Sequence, residues 1–452
     1  MNLTPICSEW ALFSTYITKK YVLFFSSSML DNNSCRSDSS IKMSSKKDVN
    51  LFMKKQQNYF ALLALAISAF AIGTTEFISV GLLPMISEDF GVSVSQAGWT
   101  VSLYALGVTF GAPILTSLTS TMKRKTLLLL IMLVFLIGNT LATIAPTFSV
   151  LLIGRVISAL SHGVFMSIGS TIAASLVVKE KRASAIAFMF TGLTVATVTG
   201  VPFGTFLGHE LGWRTSFGVI VIIGLIAFVA NYFLVPSQLK QGMKTSFKDQ
   251  AALLKTKRML LLFVITATGY GGTFVVFTYL SPLLQYVTGL APGTVALMLL
   301  LYGMTIAAGN VIGGKAANKQ PMKALIYMFI IQSIILFILS FTAKFTVLGI
   351  GTVMLMGLFA FMNVPGLQVA VVDFAERYTP GAVDVASAMN IAAFNAGIAI
   401  GSFLGGIVTD TLGLVHTGWV GGIMVLMAAI LTMISFRMEQ TEHNQTIKEF
   451  SI

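Results

Sequence analysis

Charge is what this sequence has least of. Only 10% of its 452 residues are Asp, Glu, Lys or Arg, against about 25% in a soluble domain. With 55% hydrophobic residues and a mean hydropathy of +0.85, such a chain cannot cover itself with polar surface in water. A soluble enzyme, a nucleic-acid-binding protein and a disordered chain are excluded on that ground. Cysteine is nearly as scarce. Cys7 and Cys35 both precede Met53, so nothing after Met53 can form a disulfide framework or a Cys-rich metal site. The net charge of +12 would suggest nucleic acid in a soluble protein. In a chain this apolar it reports basic cytoplasmic loops.

What the sequence has in abundance is long apolar runs. From Met53 they recur near 60–83, 97–118, 126–145, 149–178, 183–207, 215–235, 259–287, 294–314, 323–343, 346–371, 384–408 and 416–436. Strands of a membrane barrel alternate and last about 10 residues, so these runs are not strands. Backbone groups in lipid must pair within their own segment, which makes them helices. The expected fold is therefore an all-α integral membrane protein with twelve transmembrane helices.

The basic residues give the orientation. From Met53 on, the N-terminal lead, the even-numbered gaps and the C-terminal tail hold twenty Lys and Arg, and the odd-numbered gaps hold two, Arg214 and Lys344. This bias places both termini in the cytoplasm of a cell-membrane protein. The longest gap, 236–258, is polar and basic and reads as a cytoplasmic linker. It separates a six-helix half at 53–235 from a second at 259–436, with a cytoplasmic tail at 437–452. Residues 1–52 have another composition, with no run long enough to span. Met53-Lys54-Lys55-Gln56-Gln57 looks like an ordinary start, so residues 1–52 are expected to be a disordered or misassigned leader.

The halves repeat. Advancing the chain by 198 residues places Gly73, Thr75 and Pro84 on Gly271, Thr273 and Pro282, and Gly111 and Leu127 on Gly309 and Leu325. An advance of 197 places Gly200, Gly204, Phe206, Leu207 and Gly208 on Gly397, Gly401, Phe403, Leu404 and Gly405. Parallel repeats of this kind build transporters whose two halves enclose a central cavity and rock about it.

Charge inside a span costs about 2.5–3.5 kcal/mol on insertion scales. Glu76 is the one carboxylate well inside a span and Arg155 the one base. Glu76 lies seven residues before Leu83, and Arg155 six past Ser149, so both are roughly 9–10 Å deep from the same side. Equal depth permits a pair. One reading has Glu76 take and release a proton, with burial and Arg155 pulling its ionisation in opposite directions. The other is a fixed pair that locates two helices. His162, seven residues after Arg155, falls on nearly the same helix face. It suits either a proton relay or a neutral interhelical hydrogen bond.

Gly200, Gly204 and Gly208 form a smooth stripe that lets helix backbones approach, and Pro202 adds a kink. In the second half Ala399 stands near the place of Pro202. Thr75, Tyr270, Tyr279, Gln285, Asn363, Gln368, Asn390 and Asn395 are candidates to line a cavity, or to hydrogen-bond helix to helix. The run Gly309 to Ala316 nearly matches a phosphate-binding loop. It lacks the magnesium-ligating hydroxyl and ends a membrane helix instead of following a strand. ATP-driven pumping therefore has no engine in this chain, and no cofactor or metal is expected.

At these residues the chain resembles the major facilitator superfamily, specifically its twelve-helix drug–proton antiporter family with the sugar and purine efflux permeases. The resemblance rests on Gly73–Phe77 with Gly81-Leu82-Leu83-Pro84, and on Arg155 followed by Ser161-His162-Gly163, where the family usually has glutamine in place of Ser161. It rests also on Gly200-Val201-Pro202-Phe203-Gly204, on Gly212-Trp213-Arg214 and on Phe217. The loop after the second helix departs from the family pattern, with Ser120 where an aspartate is usual. Only the basic parts remain, Lys123, Arg124 and Lys125, with Lys315 in the second half, as a cytoplasmic gate without its acid.

The resemblance implies a monomeric exporter, not an enzyme, that exchanges protons for a small organic solute such as a purine nucleoside, a sugar or an amphipathic drug. Multidrug resistance would be one outcome. The alternatives are a proton symporter or facilitator for uptake, and a non-transporting sensor on a transporter fold.

Overall fold

The computed structural model describes residues 46–119, 121–178, 182–239, 247–317, 320–379 and 383–450. Two compact units partition the chain, Met1–Met53 and Lys54–Ile452, and the second carries everything below. The expected leader lies largely outside the described residues, as do Ser120, Lys179, Lys181, Lys240, Lys244 and Lys319.

Among the described residues, twelve helices are long and apolar enough to cross a membrane. They are α1 Asn58–Phe90, α2 Val94–Leu118, α3 Arg124–Thr143, α4 Phe148–Ser175, α5 Ala185–Leu211, α6 Trp213–Leu234, α7 Lys257–Val287, α8 Pro292–Ala317, α9 Pro321–Thr342, α10 Thr346–Tyr378, α11 Val385–Thr411 and α12 Leu414–Thr441. Each expected run is found, but helices outlast the apolar stretch that announces them. α1 continues seven residues past Leu83 to Phe90, because Glu88 and Asp89 can stay helical once the chain has left lipid. Hydropathy marks where oil ends; hydrogen bonding decides where the helix ends.

The turns at the end of the bundle away from the basic loops are short and specific. Ser93 caps α2 in a reciprocal box. Its hydroxyl accepts from the Gln96 N–H at 3.1 Å, while the Gln96 side-chain oxygen accepts from the Ser93 N–H at 2.9 Å. Gly91 between α1 and α2 (φ 61°) and Gly289 between α7 and α8 (φ 76°) occupy the left-handed region, which costs a side chain about 1–2 kcal/mol. They are 198 residues apart, so the repeat extends to turn geometry.

α1 and α7, which the repeat superposes, are the most enclosed spans, 78% and 72% buried, against 28% for α6. Most buried apolar side chains fall into two clusters. One draws mainly on α1–α6 and the other on α7–α12. Phe77, Val80, Val101, Ala105 and Val201 are the first-half residues that join the second cluster. Contacts of α2 with α11 and of α5 with α8 run between the same two groups of helices.

Among the described residues three spans are interrupted, α5 and α10 near their middles and α7 nearer its C-terminal end. α5 passes through a wide π turn at Ala196–Gly200. In α7 the helix stops at Phe277 and resumes at Leu280, followed by a second π turn, Leu283–Val287. In α10 it stops at Ala360 and resumes at Asn363. Each break holds the residue four before a proline, namely Val198 before Pro202, Thr278 before Pro282 and Phe361 before Pro365. The proline ring displaces that carbonyl and offers it no N–H. The kink at Pro202 was expected; the breaks in α7 and α10 were not. α11, with Ala399 near the equivalent place, runs unbroken over Val383–Thr411. Pro84 is accommodated without a break inside the helix containing α1.

The linker contains a short helix, Phe247–Lys255. Gln250 ties it to α2, donating to the Pro113 carbonyl at 3.3 Å and to the Ser117 hydroxyl at 3.2 Å. The glycine run that resembled a phosphate loop lies inside α8. Gly309 and Gly313 press against the backbone carbonyls of Leu358 and Met362 on α10, so the run serves helix packing.

Candidate functional site

The buried charges sit where α1, α2 and α4 meet. Thr147 starts α4 by accepting from the Val150 N–H at 3.4 Å, and Arg155 follows two turns in. The residue is 1% exposed. Nε donates to the Thr100 carbonyl at 3.1 Å, Nη2 to the Glu76 carbonyl at 3.2 Å, and Nη1 to the Thr75 carbonyl. The cation also lies 4.2 Å from the centre of the Tyr104 ring. Arg155 thus binds α1 and α2 through their main chains.

Glu76 is 7% exposed. Arg155 touches it through the backbone oxygen, and no hydrogen bond or ion pair among the described residues reaches its carboxyl group. Residues of equal expected depth are thus neighbours in the fold. Because α1 runs on to Phe90, Glu76 is fourteen residues from the helix end, near the centre of the span. Arg155, Tyr104 and Tyr270 all lie within the electrostatic reach of Glu76.

His162 does share a face with Arg155. Its Nδ1 is 3.3 Å from the Tyr104 hydroxyl, so both residues hold the same tyrosine. No hydrogen bond joins His162 to Glu76 among the described residues. Thr75 donates to the Asn139 side-chain oxygen, fixing α1 to α3.

Gly200, Gly204 and Gly208 lie against Thr74, Ile78 and Leu82, and an added Cβ at each would overlap those side chains. The stripe therefore lays α5 along the Thr74–Ile78–Leu82 face of α1. The π turn next to Pro202 meets α8 at Gly303, whose missing Cβ would fall 2.9 Å from Val198 Cα and 3.0 Å from the Thr197 oxygen.

The proposed cavity residues divide. Asn363 donates to Gln332 at 3.2 Å, and Gln332 in turn to Thr273. Asn390 donates to Gln368 at 2.9 Å and accepts from Thr266 at 2.8 Å, while Gln368 donates to Ser387. Gln285 donates to Ser281 at 3.3 Å. These groups are bonded from helix to helix or within a helix, inside the second half. Tyr279 donates to the Ser402 carbonyl at 3.0 Å and packs on Gly98 of α2, near one end of the bundle. Tyr270 packs its ring on Phe361 and Phe394, and Asn395 donates to the Ile391 carbonyl of its own helix at 3.0 Å. Lys123, Arg124, Lys125 and Lys315 sit at the basic end, with Lys125 5.7 Å over the Tyr232 ring. None of these four is in an ion pair among the described residues. Arg377–Glu439 pairs at the basic end at 2.9 Å, and Arg214–Asp89 at the opposite end at 2.7 Å.

Residues 65–383 match the family model of the Major Facilitator Superfamily. The chain belongs to the major facilitator superfamily. This major facilitator is 66% identical over 390 residues to "Uncharacterized MFS-type transporter YtbD" of Bacillus subtilis (strain 168), covering 86% of this chain and 98% of the relative. It is 38% identical over 379 residues to "Inner membrane transport protein YdhP" of Escherichia coli (strain K12), covering 84% and 96%. It is 29% identical over 364 residues to "Probable sugar efflux transporter" of Helicobacter acinonychis (strain Sheeba), covering 80% and 92%. A major facilitator of twelve spans is a multi-pass membrane transporter of small solutes, not an enzyme.

One feature of this major facilitator escaped sequence reasoning, an aromatic cluster beside Glu76. Phe77 stands 6.2 Å, centre to centre, from each of Phe274, Phe277 and Phe361. Two of these partners, Phe277 and Phe361, sit at the breaks in α7 and α10. Pro282 and Pro365 were the available signal, since interrupted spans mark transporter binding sites.

Proposed function

We propose that this transporter is a proton-coupled exporter of the drug–proton antiporter branch, working in the cell membrane with both termini in the cytoplasm. The observation that carries the reading is the Glu76 carboxyl, buried at mid-span without a hydrogen-bond partner. An ionised carboxylate left so in a medium of low polarity is costly, and Arg155 spends its donors on main-chain carbonyls. Glu76 is therefore satisfied only by a proton or by a donor or cation brought by the solute. Two occupants that exclude each other at one group are what exchange requires. Arg155 keeps α1 rigid under that group whichever occupant is present.

The halves, 53–235 and 259–436, are the moving bodies in this reading. Their mutual contacts at the end away from the basic loops include Ser281 donating to the Gly81 carbonyl at 3.4 Å, Tyr279 against Gly98, and Ser95 against Gly406. Rocking would break these and let a proton reach Glu76 from outside, displacing the solute. One charge moved through 100 mV supplies about 2.3 kcal/mol. The name "Probable sugar efflux transporter" of one relative favours export over uptake.

The test uses inverted vesicles with an imposed pH difference. Export should stop when the difference is collapsed, and Glu76→Gln should abolish gradient-driven export while the protein remains folded. Undiminished gradient-driven export by Glu76→Gln would sink the assignment.

A further inference from the structure

We infer that the centre between the halves selects flat aromatic solutes bearing hydrogen-bond donors, and that Tyr302 and Asn395 are specificity-determining residues there. The inference takes its location from the export reading and adds the class of cargo.

The walls come first. Phe77 of the first half meets Phe274, Phe277 and Phe361 of the second, all at 6.2 Å and at angles from 34° to 83°. Tilted and edge-on rings are the resting arrangement of an aromatic cluster. Phe77 is carried on α1 and its partners on α7 and α10, so parting of the halves separates Phe77 from the others. The space opened has ring faces on one side and Phe77 with Glu76 on the other. A flat ring system fills such a slot with little loss of contact.

The polar groups come second. The Tyr302 ring stacks on Phe277 at 5.4 Å and 18°, and the residue is 2% exposed. Its hydroxyl has no hydrogen-bond partner among the described residues. A phenylalanine would stack equally well, so in this state the hydroxyl brings only a desolvation cost. Asn395 donates through Nδ2 to the Ile391 carbonyl of its own helix at 3.0 Å, which leaves its Oδ1 buried and without a partner among the described residues; the residue follows Phe394, whose ring is 4.9 Å from Tyr270. With Glu76 this makes two buried unspent acceptors, on α1 and α11, and one hydroxyl carried by a ring of the aromatic wall. Each is unsatisfied in the closed arrangement and would be satisfied by a ligand carrying N–H or O–H groups.

The same inventory argues against a sugar. A polyol needs a partner for nearly every hydroxyl, and the carboxamides that could serve, Gln332, Gln368 and Asn390, are already bonded to protein groups. A bulky aromatic cation without donors would fill the slot and leave the acceptors unpaired.

The test is equilibrium binding to the purified full-length protein in detergent, with no gradient present. Two fluorescent probes share a planar acridine ring. Proflavine carries two amino groups, and acridine orange carries the same groups fully methylated. Proflavine should bind at least tenfold tighter, and millimolar arabinose should not displace it. Tyr302→Phe should bring the ratio of the two affinities several-fold closer to one while acridine orange binds as before. Phe277→Leu should weaken both probes about tenfold, with helical content unchanged. Equal affinities in the unmodified protein, an unchanged ratio in Tyr302→Phe, or displacement by arabinose would each overturn the inference. Because no gradient is used, loss of proton coupling with selectivity intact sinks the export reading alone. Intact coupling without selectivity sinks this one alone.

Discussion

Replacing Arg155 by lysine separates a charge from a brace. If Arg155 mattered only as a positive charge near Glu76, Arg155→Lys would be nearly silent, since the charge stays in place. The geometry predicts otherwise. The planar fork reaches three carbonyls on two helices, those of Thr75, Glu76 and Thr100, while its face rests on Tyr104 at 4.2 Å. A lysine ammonium is a point donor on a shorter stem and reaches one or two of those oxygens. One or two charge-assisted bonds are then lost, at about 1.5–3 kcal/mol each, which gives a destabilisation of about 2–6 kcal/mol. Denaturant titration in mixed micelles reads this directly, with wild type and variant compared under one protocol. Export should fall as well, because α1 is no longer held under Glu76, and Arg155→Lys should bind proflavine more weakly. A stability change under about 0.5 kcal/mol together with full export would refute the brace and return Arg155 to the role of a distant charge.

Two further outcomes follow from the glycines and the broken spans. Gly401→Ala should be worse than Gly204→Ala: the new Cβ at 401 meets the rigid Gly271 carbonyl, whereas at 204 it meets the flexible tip of Ile78. A cost of about 1–3 kcal/mol is expected for the first and less than about 1 kcal/mol for the second, read by the same titration. Pro365→Ala should restore an N–H opposite the Phe361 carbonyl and let α10 close its break, so stability should hold or rise while transport slows. Paired spin labels on the two ends of α10 would show a straighter helix; an unchanged distance distribution would show that Pro365 is not the cause of the break.

Much of this protein was readable without coordinates. Twelve spans follow from the solvent, because a backbone in lipid must bond within itself and an apolar run of sufficient length leaves no other choice. The repeat, the glycine stripe and the isolation of Glu76 and Arg155 were likewise legible, since each is a pattern along one chain. That Arg155 and Glu76 are neighbours was legible only as a permitted pairing.

Tertiary structure decided who bonds with whom. Arg155 took main-chain oxygens in preference to the carboxylate, because three carbonyls lay within the span of its fork and nothing in the order of residues tells a side chain's oxygen from a backbone's. Asn363, Gln368 and Asn390 became interhelical ties because their neighbours across the bundle happened to be Gln332, Ser387 and Thr266. Phe77, Phe277 and Phe361 are ordinary apolar residues in three distant spans. Only the packing of α1 against α7 and α10 at their breaks makes them one cluster, because a hydrophobic run specifies that a residue is buried and leaves open what it is buried against.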